Sequence, residues 1–243
     1  MRRHWVVLAL LISLSSAVLV WVFLKVQMTP AVASTQAQAI DKLFRILFAI
    51  GGVILALCLV TLIYVAVAFR RPQEDMEDGP PLQGHTPLEM GWTLVPLAIV
   101  IALGIYGAVV LRDISPPPPR TELEVQGFAF RLEVRVTAFQ WGWGFQYPQY
   151  GITSPELRLP VGRPVLLRLT SRDVIHSFWV PEFRVKQDAV PGMETLLRVT
   201  PTKEGQYKVY CAELCGLAHA LMAAPVAVMP VADFERWVKE APR

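Results

Sequence analysis

The chain has 243 residues, 53% of them hydrophobic and 18% charged, with a mean hydropathy of +0.41. That is too apolar for a soluble protein of this size, and the apolar residues are segregated, so the composition describes a membrane protein carrying a water-soluble domain. A formal net charge of +3, spread without a basic run, argues against a nucleic-acid partner, and three cysteines imply no disulfide framework.

Three apolar stretches, Trp5 to Leu24, Ile46 to Phe69 and Trp92 to Leu111, each match the ~20 residues that a helix needs to cross a ~30 Å hydrocarbon core. The first lies within residues 1–33. It follows Met1-Arg2-Arg3-His4 and ends in Ala31-Val-Ala-Ser34, the charged start and small-residue ending of a secretory signal. Its apolar core exceeds the roughly 7–15 residues usual in such a signal, which favours a third membrane helix over a cleaved signal peptide. The other two stretches form a transmembrane hairpin over residues 41–112. Arg2 and Arg3 hold one end of the first helix in the cytoplasm, and Arg70 and Arg71 hold the inner end of the second, so the part after the third helix lies outside. Gln73 to Gly84 is then an acidic inner loop. Glu89 follows at the cytoplasmic mouth of the last helix, where its ordinary reading is a helix-start carboxylate favoured by the macrodipole. Pro96 is expected in that helix's first turn, where its missing donor matters little.

Arg112 to Arg120 contains Pro116-Pro-Pro-Pro119 and reads as a stiff polyproline spacer, placing a linker at residues 113–120 and a soluble domain at residues 121–243. Short alternating runs follow: Leu132 to Val136, Glu156 to Leu159, Val165 to Thr170, Thr195 to Thr200, Gln206 to Cys211 and Val226 to Met229. Strands of that length and spacing predict an all-β sandwich or barrel. Ala232 to Glu240, with Phe234, Trp237 and Val238 on one side, predicts a short closing helix.

Within the soluble half, Cys211-Ala-Glu-Leu-Cys215-Gly-Leu-Ala-His219-Ala-Leu-Met222 places two thiols, an imidazole and a thioether in one loop at the end of a strand. Soft and borderline metals such as copper prefer these ligands. A structural zinc site wants four Cys/His ligands and has no use for Met222. A further imidazole comes from Asp173-Val-Ile-His176-Ser-Phe-Trp-Val-Pro181, where His176 ends an apolar run and Pro181 stops the strand. Taken alone, His176 reads as an ordinary core histidine. The aromatic cluster Phe139-Gln-Trp141-Gly-Trp143-Gly-Phe145-Gln-Tyr147 reads as sheet-face packing, above all for Trp143.

These motifs, over roughly Asp41 to Glu240, resemble subunit II of the haem-copper oxidases, the cytochrome c oxidase subunit that carries the dinuclear copper centre CuA. The resemblance implies a cupredoxin-like Greek-key domain behind two or three transmembrane helices. It implies Cys211 and Cys215 as bridging thiolates, His176 and His219 as imidazole ligands, Met222 as a thioether ligand and the Glu213 carbonyl as a further ligand. The Glu213 carboxylate would then face a magnesium or manganese ion shared with subunit I. Trp141 matches the ring through which electrons pass from cytochrome c, and Glu89 the carboxylate at the mouth of the proton path. The tyrosine usual between the two tryptophans is Gly142 here, and Gly216-Leu-Ala replaces the common Gly-x-Gly or Gly-x-Asn before His219. Expected partners are subunit I, with subunit III, a cytochrome c or small copper-protein donor, and the prokaryotic plasma membrane, with the copper domain outside. Competing readings are a quinol oxidase subunit II, a membrane-tethered copper carrier, and a CuA-bearing nitrous oxide or nitric oxide reductase. The first loses the copper ligands, all present here; Cys215, Glu213 and Glu89 speak against the second. The Glu89-to-Pro96 stretch favours an oxygen reductase over the third.

Overall fold

The computed structural model describes residues 2–70, 79, 81, 83–115 and 132–242. The polyproline spacer, the stretch Thr121 to Phe130, Arg71 and most of the expected inner loop lie outside the described residues. The chain divides into two compact units, a helical one of Met1–Met28 with Lys42–Val109, and a second of Thr29–Asp41 with Val110–Arg243.

The helices α1 (Arg2–Lys25), α2 (Thr35–Ala68) and α3 (Thr86–Ile114) are each long and apolar enough to cross a membrane, and most of their length belongs to the helical unit. Helices α1 and α2 pack on each other. The Phe23 and Phe48 rings stack with centroids 5.6 Å apart, and the His4 Nδ1 lies 2.8 Å from the Tyr64 hydroxyl. Gly52 makes the approach possible, because a Cβ there would sit 3.1 Å from the Phe23 ring.

Two caps set helix starts earlier than hydropathy indicates. The Ser34 hydroxyl accepts from the Ala37 amide at 2.9 Å and opens α2. At α3 the cap is reciprocal: the His85 ring accepts from the Leu88 amide at 3.2 Å, while Glu89 Oε1 accepts from the His85 amide at 2.8 Å. With its start at Thr86, α3 carries Pro96 in its interior, not in the first turn as expected, so the Trp92 carbonyl loses its partner in the helical ladder.

The second unit is a sandwich of two five-stranded sheets. Its strands are β1 (Leu132–Phe139), β2 (Gly142–Tyr147), β3 (Ile152–Ser154), β4 (Leu157–Pro160), β5 (Val165–Ser171), β6 (His176–Val180), β7 (Val185–Ala189), β8 (Thr195–Val199), β9 (Gly205–Cys211) and β10 (Ala223–Met229). One sheet runs β3-β2-β1-β5-β8 and the other β4-β10-β9-β6-β7. The pairs β1 with β5 and β4 with β10 are parallel, and the other strand pairs are antiparallel. Alternation puts Leu132, Val134, Val136 and Ala138 of β1 inward against Phe178, Val209, Val226 and Val228 of the facing sheet. The closing helix α4 (Val231–Glu240) buries Phe234 and sets Trp237 edge-on to Tyr147, centroids 5.0 Å apart.

Residues 29–41 are built into this sandwich. Ala33 and Ser34 are fully buried, the Ala33 amide donates to the Glu182 carbonyl at 3.1 Å, and the Ser34 hydroxyl donates to the Phe183 carbonyl at 3.0 Å. Asp41 pairs with the Arg184 guanidinium at 2.9 Å, and that guanidinium also donates to the Pro30 carbonyl.

Candidate metal centre

Strand β9 ends at Cys211, and the loop returns through a 3-10 turn, His219–Leu221, to Met222 at the head of β10. A hydrogen bond from the Cys211 amide to the Met222 carbonyl, 3.0 Å, closes the loop on itself. Beside it, β6 pairs with β9 so that Phe178 stands opposite Cys211. His176 opens β6 and faces inward at 0% exposure, while the apolar Val174 and Ile175 before it stand at the surface, 40% and 46% exposed.

The donor atoms converge. Cys211 Sγ lies 3.7 Å from Cys215 Sγ and 3.7 Å from His176 Nδ1, while Cys215 Sγ lies 3.5 Å from His219 Nδ1 and 3.8 Å from Met222 Sδ. The Glu213 carbonyl oxygen is 3.2 Å from Cys211 Sγ. Thiolate and imidazole ligands at about 2.3 and 2.0 Å from one tetrahedral ion would stand about 3.5–3.8 Å apart, so this spacing fits metal held between the donors. Each imidazole addresses a different thiol, which suits two ions sharing two sulfurs better than one ion with a single thiolate.

Two electrostatic features frame the donors. Burial pushes the Cys215 thiol up to about 11, reinforced by the neighbouring Cys211, so without metal it stays protonated at neutral pH. Desolvation works to raise the Asp173 carboxyl, but hydrogen bonds from His176, the Gln140 and Val174 amides and Ser171 outweigh it and hold the group at about 2. Asp173 Oδ1 lies 2.8 Å from His176 Nε2, so the ring donates there and leaves the Nδ1 lone pair facing Cys211. The sequence reading missed this carboxylate; its signal was an acidic residue three before the histidine.

Trp141 rests on the same loop, 41% exposed, and its indole donates to the Cys215 carbonyl at 3.3 Å. The Gln140 amide side chain donates to that carbonyl too, at 2.8 Å. Gly216 is required beneath them: its φ of 119° disfavours a side chain, and a Cβ would come within 3.3 Å of the Trp141 ring. Gly142 leaves room for Phe139, whose ring would be 2.9 Å from a Cβ there. Trp143 is buried edge-on to Phe178, as its packing role required. Glu213 is exposed, with its carbonyl and not its carboxylate at the thiols. Glu89 belongs to the helical unit and to the cap of α3.

Two family descriptions match, "Cytochrome C oxidase subunit II, transmembrane domain" over residues 7–110 and "Cytochrome C oxidase subunit II, periplasmic domain" over residues 152–231. Cytochrome c oxidase subunit 2 of Thermostichus vulcanus is 37% identical over 254 residues, spanning 87% of this chain and 77% of that one. The chain belongs to the cytochrome c oxidase subunit II family. The Synechocystis subunit 2 is 32% identical over 246 residues, covering 86% of this chain and 74% of its own. Among solved structures, the periplasmic domain of cytochrome oxidase subunit II from Bradyrhizobium japonicum is similar at 31% identity and a TM-score of 0.44, over 46% of this chain and 94% of that one. As a subunit II, the protein is anchored by its apolar helices with its copper domain on the outer side. Membership implies a CuA site, and the cluster of His176, Cys211 and Cys215, donor atoms within 4.8 Å of one another, is where this fold gathers ligands for it.

Proposed function

We infer that this chain is the subunit through which electrons enter a proton-pumping cytochrome c oxidase, and that catalytic turnover belongs to the complex. The observation that carries the reading is the pairing of two thiols with separate imidazoles at 3.5 and 3.7 Å, capped by a thioether. His176, Cys211, Cys215, His219, Met222 and the Glu213 carbonyl would hold the copper pair. When bound, such a pair supplies one-electron transfer with little change of geometry between oxidation states.

The chain's own residues do the rest. The closed loop keeps the thiols, 9% and 3% exposed, out of water and limits side reactions. Trp141, exposed and hydrogen-bonded through its indole to the Cys215 carbonyl, is assigned as the contact for the donor, a cytochrome c or small copper protein. The Glu213 carboxylate, free of the thiols, is assigned to a magnesium or manganese ion at the boundary with subunit I. Subunits I and III are the expected partners in the membrane. Glu89 is assigned to the mouth of the proton path, in addition to its role in the cap.

We also propose that α1 is retained as a third membrane helix. Cleavage after Ala33 would create an ammonium at Ser34, a fully buried residue, and would sever the hydrogen bonds of Ala33. Mass spectrometry of the purified chain is expected to include Met1 to Ala33; a mature start at Ser34 refutes this.

The copper assignment is tested by Cys215→Ser. The purified wild-type chain should take up two coppers and show a mixed-valence spectrum, and the variant should lose that spectrum and hold one copper or none. An unchanged two-copper signal in the variant would sink the assignment.

A further inference from the structure

Asp173 stands where two independent parts of the site meet. Its Oδ1 accepts from His176 Nε2 at 2.8 Å and from the Val174 amide at 2.7 Å. Its Oδ2 accepts from the Gln140 amide at 2.6 Å, and Gln140 is the residue before Trp141. From there the connections return to the thiols, because the Gln140 and Trp141 side chains both donate to the Cys215 carbonyl. The result is a closed ring of contacts: carboxylate, imidazole, thiol pair, loop carbonyl, aromatic turn, and back to the same carboxylate. One carboxylate thereby fixes both the copper-facing imidazole and the turn that presents the exposed indole.

The chemistry is asymmetric between the two histidines. His176 is fully buried and has a carboxylate behind it, while the contact the structure gives His219 is with Cys215. A carboxylate behind a metal-facing imidazole fixes its tautomer and orientation and makes it a stronger donor. The Asp173 side chain is 30% exposed, so it sits at the rim of the domain while its hydrogen bonds point inward.

We propose that Asp173 is a positioning residue that sets the orientation and donor strength of His176 and at the same time holds the Trp141 turn against the copper loop. The proposal rests on the copper reading given above. It makes the ring that receives electrons and one metal ligand parts of a single hydrogen-bonded unit, so damage at Asp173 is felt at both.

The test uses the full-length chain in detergent, loaded with copper, comparing wild type with Asp173→Asn. The asparagine keeps size and some hydrogen bonding but removes the charge. Expected results are two coppers at saturation, copper affinity lowered on the order of 10–100-fold in chelator competition, and a higher reduction potential. The potential rises because the oxidised, more positive state loses a nearby negative charge. Reduction by an external donor should also slow. A purely structural role would lower thermal stability without moving the potential, and a variant with wild-type affinity and potential overturns the proposal. Should Asp173→Asn fail to fold by near-ultraviolet circular dichroism, Asp173→Glu decides, since it keeps the charge and displaces the oxygens by one methylene. Weakened copper binding in that variant supports the proposal, and wild-type binding with an unchanged potential overturns it. If the wild-type chain itself takes up no copper pair, the site reading fails and this inference with it.

Discussion

The helical unit and the copper domain are built from similar apolar residues turned in opposite directions. On α2 and α3, Leu62, Val67, Val100 and Ile105 are 66%, 73%, 66% and 64% exposed. In the sandwich, Val134, Val136, Phe145 and Phe178 are all 0% exposed. Lipid makes the first arrangement as favourable as water makes the second, because a helix satisfies its own backbone and can present side chains to hydrocarbon. The lesson is that hydropathy locates the helices, whereas period-two alternation locates the sheet.

That contrast can be broken with a matched pair of truncations. Phe178→Ala should cost the copper domain about 3–5 kcal/mol, since it leaves a cavity beside Trp143. Leu62→Ala on the outer face of α2 should stay within about 0.5 kcal/mol. Chemical unfolding in detergent, followed by tryptophan fluorescence, measures both, and equal effects would mean that α2 is packed against protein at that face.

Copper uptake sharpens the comparison at the site itself. The thiolate is the ligand, and burial raises the Cys215 thiol to about 11, so metal must displace a proton at neutral pH. Apparent affinity should therefore rise with pH, about tenfold per unit for each thiol proton displaced, until the pH nears that value. Competition with a pH-characterised chelator between pH 6 and about 9 reads the slope, and a flat profile contradicts a protonated resting thiol.

Trp141→Phe has a narrower expected effect. It removes the indole donor to the Cys215 carbonyl and should slow reduction by the external donor several-fold, while copper content and the internal transfer to haem stay as they were. Stopped-flow reduction of the assembled oxidase measures it, and normal donor kinetics return Trp141 to packing. Glu89→Gln should leave copper reduction intact and slow only the proton-coupled reduction of the site in subunit I. The cap should survive because the glutamine oxygen can still accept from the His85 amide. Unaffected turnover makes Glu89 a capping residue alone.

The strongest parts of the site were legible because their chemistry is compressed into twelve residues, Cys211 to Met222. The six strands read from alternation are present, as is the closing helix with Phe234 and Trp237. Strand β7 escaped because Val185-Lys-Gln-Asp-Ala189 lies at a sheet edge, where three of five residues are polar and half solvated. The start of α3 escaped because a cap made by His85 and Glu89 leaves no hydropathy signal. Residues 29–41 escaped for a different reason: their partners are Glu182, Phe183, Arg184 and Thr200, and no local pattern encodes contacts at that separation. Gln140 was hidden likewise, its partners Asp173 and Cys215 lying 33 and 75 positions away, whereas Asp173 stood in plain view three residues before His176 and was passed over.

The burial of Ala33 to Asp41 has a kinetic side. The Gln36 side chain accepts from the Thr200 amide, 164 positions later, and Ser34 reaches Phe183 across 149. Contacts closing such long loops form late, because the chain loses conformational entropy before they reward it. The seam that Ser34 and Gln36 make with Phe183 and Thr200 can therefore close only after most of the sandwich strands between them have been made.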